Sequence, residues 1–94
     1  MKYVMTYECD PDFGPLPDPL FNEHLDFLKE FHRRGELLLM GPMQEPVNGD
    51  ALAVFVSRES AEEFVANDPF VIHGLVTAWT IRQWKEVLSP EPAV

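Results

Sequence analysis

The chain predicts an α+β fold of the ferredoxin-like kind, β-α-β-β-α-β, with a four-stranded antiparallel sheet carrying two helices on one face. Three observations predict it. The apolar period switches between two and 3.6 residues in that order along the chain. Capping and turn residues stand at the switches. With 46% of its 94 residues hydrophobic and 12% aromatic, the chain can build the core of one domain, residues 1–94, with a tail from about 88.

The first strand is "KYVMTYE", Lys2–Glu8, rich in β-branched and aromatic residues. The next stretch, "CDPDFGPLPDP", holds four prolines and a glycine in eleven residues and reads as a loop. The first helix starts with Asp18 as N-cap and Pro19 at its first position. Phe21, Leu25, Leu28 and Phe31 form its apolar stripe, with His24 and Phe27 on the same broad face. Gly35 ends it, after Arg33 and Arg34, whose charges suit the C-terminal dipole.

Strand two is "ELLLMG", Glu36–Gly41, followed by a turn segment that contains Asn48-Gly49. Strand three is Leu52–Val56. A second helix follows, capped by Ser57 or, in a capping box with Glu63, by Ser60; Ala61, Phe64 and Val65 supply its apolar face. Strand four is Leu75–Trp84, with Trp79 and Trp84 packed in the sheet.

Strands two to four are apolar at both alternating sets of positions, whereas a half-solvated sheet shows polar residues on its outer face. Two helices cover only one face. A second copy of the chain, packed sheet to sheet, is the expected cover, with Phe55 and Val76 among the residues at that contact. A homodimer or higher homo-oligomer follows.

Net charge is −9, from 16 acidic and 7 basic residues. No basic stripe exists to neutralise phosphates, so nucleic acid and anionic membrane are not expected partners. Cys9 is the single cysteine, which excludes an intrachain disulfide and a cysteine-based zinc site. The start "MKYVMTYE" lacks the apolar run of a signal peptide or membrane helix, and a cytoplasmic setting is expected.

His24 is the first candidate for chemistry, since a histidine on an apolar stripe needs a partner; a satisfied core histidine is the plainer reading. Its neighbour His32 lies eight residues on, about 12 Å along a helix, too far to share a metal ion. His32 reads as a solvated face residue and His73 as a loop residue. Asp68-Pro69 repeats the pairing of Asp10-Pro11 and Asp18-Pro19 and reads locally as a cap that starts a helical turn. A capping carboxylate keeps spare acceptor sites, so capping does not exclude chemistry. No glycine-rich phosphate loop, G-x-S-x-G elbow or metal-ligand spacing is present, and no cofactor or metal is expected.

Taken together, "YVMTYE", His24, "RRGELLLMGPM" from Arg33 to Met43, "SRESAEEFVANDPF" from Ser57 to Phe70 and the ending "IRQW" resemble the YCII-related family over nearly the whole chain. The resemblance implies a ferredoxin-like fold that dimerises through its sheets, as in the dimeric α+β barrel superfamily. It also implies a His–Asp pair at a small pocket, matching His24 and Asp68. One branch of the family is similar to a dehydrochlorinase of chlorinated hydroxyquinols. The long loop of residues 9–19 is less typical of the shorter members.

Two readings follow. In the first, the chain is a cofactor-independent enzyme with catalytic residues His24, as general acid/base, and Asp68, as its orienting partner. It performs an elimination or isomerisation on a small cyclic or aromatic metabolite, and Tyr7, Pro42, Met43 and Phe70 line the apolar binding pocket. In the second, it is a non-catalytic dimeric module that binds a small ligand or steadies a partner.

Overall fold

A computed structural model of the chain describes residues 1–90; residues 91–94, the end of the expected tail, lie outside the described residues. Strand β1 (Lys2–Cys9) buries Met5 and Tyr7 and exposes Thr6 and Glu8, the alternation of a strand with one covered face. Helix α1 (Asp18–Arg33) begins one residue earlier than expected. Its N-cap is Pro17, whose carbonyl accepts the Phe21 N–H at 3.1 Å, so Asp18 sits inside the first turn as a charge favourable to the dipole rather than as the capping side chain. At the other end Gly35 takes φ +78°, with its own N–H on the His32 carbonyl (3.0 Å) and the Glu36 N–H on the Phe31 carbonyl (3.1 Å). This is a Schellman stop, which glycine adopts without a Cβ penalty.

Strands β2 (Leu37–Pro42) and β3 (Ala51–Phe55) follow. Helix α2 (Arg58–Asn67) is capped by Ser57, whose Oγ accepts the Ser60 N–H at 3.0 Å; of the two expected starts, the longer helix forms. Ser60 instead turns inward and donates to Glu36 Oε1 at 3.2 Å. A four-residue turn of helix, α3 (Pro69–Ile72), leads to strand β4 (Val76–Trp84).

The sheet runs β2-β3-β1-β4, and every neighbouring pair is antiparallel. Register places Tyr3 beside Phe55, Met5 beside Ala53 and Ile81, and Tyr7 beside Ala51 and Trp79, all on the helix side. There Phe64 of α2 meets Phe27 at 4.9 Å and Phe31 and Phe55 at 5.2 Å each, ring centre to ring centre, the centre of the core.

The opposite face holds Val4, Thr6, Leu52, Val54, Thr80 and Arg82, with no helix over it among the described residues. Phe55 and Val76, expected at a contact on that face, are instead buried in the core beneath the helices. Alternation tells which residues share a face but not which face is covered, and here both sets are apolar. Leu39, Leu52, Val56 and Trp84 are exposed apolar residues on the open side. Trp79 and Trp84, expected to be packed, are 44% and 50% exposed, because β4 is an edge strand. Among the described residues no helix is long and apolar enough to cross a membrane.

Candidate active site

Asp68 stands where α2 ends and α3 begins, and its backbone serves both. Its N–H closes α2 on the Phe64 carbonyl at 2.9 Å, and its carbonyl accepts the N–H groups of Val71 (2.9 Å) and Ile72 (3.0 Å). Its carboxylate caps α3 by accepting the Phe70 N–H at 3.1 Å. The capping role is therefore real, and it leaves acceptor capacity over. Oδ1 also lies 2.7 Å from His24 Nδ1, and Oδ2 accepts the Tyr7 hydroxyl at 2.8 Å. This carboxylate is wholly buried, and its three donors offset the desolvation that burial imposes.

His24 reaches it from α1, where its position on the stripe turns it toward the sheet. The imidazole lies flat on the Phe70 ring, centres 3.6 Å apart and planes within 5°. A carboxylate only accepts, so Nδ1 carries the hydrogen and donates. Nε2 makes no hydrogen bond among the described residues, yet no buried side-chain nitrogen or oxygen there lacks a partner; Nε2 therefore opens into the cavity that His24 lines.

That cavity has a volume of about 860 Å³. It lies beneath the N-terminal half of α1, between the ends of β1, β2 and β3 and the loop of residues 10–17. Tyr7, Pro42 and Phe70 line it, but the Tyr7 hydroxyl is committed to Asp68 rather than to the cavity. Met43 does not line it. It follows the last residue of β2, is 47% exposed, and its N–H is held by the Asp50 carbonyl at 2.8 Å. His32 does not join the site: its Nδ1 is 2.8 Å from the Leu37 carbonyl.

The sequence reading missed the contribution of the loop. Phe13 and Leu16 supply apolar wall, and Asp10, whose Oδ1 accepts the Asp12 N–H at 2.8 Å, adds an acidic residue to the lining. Two apolar side chains in an otherwise proline- and aspartate-rich stretch were the available signal. Asn48 and Gly49 add the far rim. Gly49 has φ +89°, and an added Cβ would stand 3.0 Å from that of Cys9, so this turn needs glycine for conformation and for space.

Burial pushes the Tyr7 phenol far above its ordinary range, and the Asp68 charge and hydrogen bond push it further. Burial also raises the Cys9 thiol, with Asp50 and Asp68 adding to the effect, and its Sγ donates to the Gly49 carbonyl at 2.8 Å. Cys9 is thus held away from the thiolate form that a nucleophile needs. Among the described residues no three histidine, cysteine, aspartate or glutamate side chains are grouped to hold a metal ion.

Several solved structures share the architecture. A 5-chloro-2-hydroxyhydroquinone dehydrochlorinase, TftG from Burkholderia phenoliruptrix AC1100 in complex with 2,5-dihydroxybenzoquinone, is 20% identical with a TM-score of 0.71, over 90% of this chain and 94% of that one. Protein Atu4242 from Agrobacterium tumefaciens is 15% identical with a TM-score of 0.58, over 96% and 98%. SnoaB, a cofactor-independent oxygenase from Streptomyces nogalater, is 16% identical with a TM-score of 0.52, over 96% of each chain. At these identities the likeness establishes the ferredoxin-like α+β fold. No curated protein matches the chain in sequence. Residues 1–85, which span every strand and helix described above and both partners of the buried His24–Asp68 pair, match the YCII-related domain, and the chain belongs to that family.

Proposed function

We propose that the protein is a small cofactor-independent enzyme that eliminates from, or isomerises, a small cyclic or aromatic metabolite, with His24 as general acid/base and Asp68 as its positioning partner. The observation that carries this reading is the His24 ring, held by a buried carboxylate at 2.7 Å on one nitrogen and open to the cavity on the other. With Nδ1–H donated, Nε2 presents a lone pair to a bound molecule. In an elimination that lone pair takes a proton, the freed electron pair forms a new π bond, and the leaving group departs with its own bonding pair. In an isomerisation the same proton returns at another carbon. Either way the imidazolium that forms is balanced by Asp68. The Tyr7 hydroxyl and the Phe70 N–H fix the carboxylate, and the Phe70 ring fixes the imidazole plane, so little reorganisation accompanies proton transfer.

Similarity in fold to a dehydrochlorinase solved with a quinone, and to a cofactor-independent oxygenase, supports this class of chemistry. The first compound to assay is 5-chloro-2-hydroxyhydroquinone, read by chloride release. Deuterium uptake from D₂O into enolisable cyclic ketones, read by NMR, covers isomerisation. His24→Gln should lower whichever rate is found by about 10²- to 10⁴-fold. A variant as fast as the parent would sink the reading.

A homodimer through the open sheet face is part of the same proposal. Leu39, Leu52 and Val56 are exposed there, and a groove of about 420 Å³ runs beside Leu52 and Trp84. A second copy is self-complementary cover for such a face.

A further inference from the structure

We infer that the cavity selects uncharged, ring-shaped ligands and rejects anionic ones, with Asp10 at its rim setting that preference. The inference rests on the proposed function only in taking this cavity as the substrate site.

Its ground is the charge of the wall. Among the described residues no lysine or arginine lines the cavity, and the lining carboxylate is that of Asp10. Five of the chain's seven lysines and arginines have identified places elsewhere. Arg33 is paired with Glu30, Arg34 with Glu36 and the Phe31 ring, and Arg58 lies over Tyr3. Lys2 meets Glu86, and Arg82 lines the groove on the opposite face of the sheet. His24 offers no net positive charge to a ligand: even as an imidazolium it is answered by the Asp68 carboxylate behind it. Asp50 stands close enough to Cys9 to raise its thiol, which adds negative potential near the same rim.

An anion entering this space would shed water and find no countercharge, and burial of an unpaired charge is among the most unfavourable events in a protein interior. A neutral ring would find the opposite. Phe13, Leu16, Phe21, Met40 and Phe70 present apolar surface, while His24 Nε2 offers a polar contact suited to a ring hydroxyl or carbonyl. The substrate class is therefore a hydroxylated or keto ring without carboxylate, phosphate or sulfate.

The test uses matched probes that are not turned over: 2-naphthol, neutral at pH 7.5, and 2-naphthoate, the same ring with a negative charge. Isothermal titration should give 2-naphthol at least about tenfold tighter binding, a difference of about 1.4 kcal/mol. Its addition should shift the His24 imidazole signals in an NMR spectrum. Asp10→Lys, on an exposed loop, should narrow the ratio at least about threefold by gaining naphthoate affinity, and added salt should weaken that gain. Equal or tighter binding of naphthoate, no binding of naphthol at millimolar concentration, or naphthol binding that leaves His24 unmoved would each overturn the inference. An unchanged ratio in Asp10→Lys would remove Asp10 from it. Because these are binding measurements, charge selectivity can hold while His24→Gln shows no loss of turnover, so the two proposals fail separately.

Discussion

The two halves of α1 lie over the same sheet and meet very different surroundings. Beneath the C-terminal half, Phe27 and Phe31 close on Phe64, which packs on Phe55, with ring centres 4.9 to 5.2 Å apart. Beneath the N-terminal half, the sheet offers Ala51 and Gly41, and the space stays open as the cavity that His24 faces. The difference comes from side-chain volume at matched positions: β3 carries phenylalanine at Phe55 and alanine at Ala51 and Ala53 on the same face. One helix thus anchors the fold at one end and holds a titratable group over a hollow at the other. Packing and chemistry can be varied nearly independently along it, and the following variants push on each end in turn.

The largest effect on stability belongs to the packed end. Phe64→Ala should cost about 3–5 kcal/mol in urea unfolding, since Phe64 is fully buried and its neighbours cannot close the space. A cost below about 1 kcal/mol would mean that the two ends are not so different.

At the open end, Asp68→Ala should cost about 1–3 kcal/mol by leaving the Tyr7 hydroxyl, the His24 Nδ1–H and the Phe70 N–H without their acceptor. Asp68→Asn should retain much of that stability, because asparagine also caps a helix turn, yet lose turnover as His24→Gln does. If asparagine preserves turnover in full, the carboxylate serves the fold alone.

Tyr7→Phe sharpens the comparison through pH. The folded-state pKa of Tyr7 is raised, so the stability it contributes is whole below the unfolded value, about 10, and is lost as pH rises from there toward the folded value. The parent protein should therefore lose stability between pH 9 and pH 11 on this account. Tyr7→Phe should begin about 1–3 kcal/mol lower at pH 8, with Asp68 Oδ2 left without its donor, and should fall less over that range. Parallel curves for the two proteins would refute the linkage.

The smallest effect on the single chain belongs to the open sheet face. Leu52→Glu should change the stability of the isolated chain by no more than about 0.5 kcal/mol, as surface changes usually do. It should nevertheless convert the proposed dimer to monomer in sedimentation at micromolar concentration. A parent chain that sediments as a monomer would remove the dimer from the proposal.

Local signals were sufficient for much of this molecule. Period two and period 3.6 mark strands and helices because side chains alternate across a strand and recur every turn of a helix. Ala61, Phe64 and Val65 were legible as a buried face for that reason, as was His24 as a residue turned inward. Asp68 was legible as a cap because Asp-Pro is a local grammar. The family resemblance supplied its pairing with His24, and the fold places the two side chains 2.7 Å apart.

Other features depend on contacts between distant segments, about which periodicity is silent. Asp68 and Tyr7 are 61 residues apart, and only the docking of the helices on the sheet makes the phenol a donor to that carboxylate. Leu20 is buried although it precedes the first residue of the expected stripe. Phe55 and Val76 could be placed on a face but not assigned to the covered one, since strands apolar on both sides fit either choice. The loop of residues 10–17 has no periodicity to read, and only its path across the mouth of the sheet makes Phe13 and Leu16 cavity wall. By itself the sequence determined the order of elements, the glycine stop at Gly35, the cap at Asp68 and the inward turn of His24, because those are set within a few residues of chain. The covered face of the sheet, the hollow beneath α1 and the Tyr7–Asp68–His24 chain of hydrogen bonds were decided only by tertiary structure, because each is a matter of which distant surfaces meet and how much volume they leave between them.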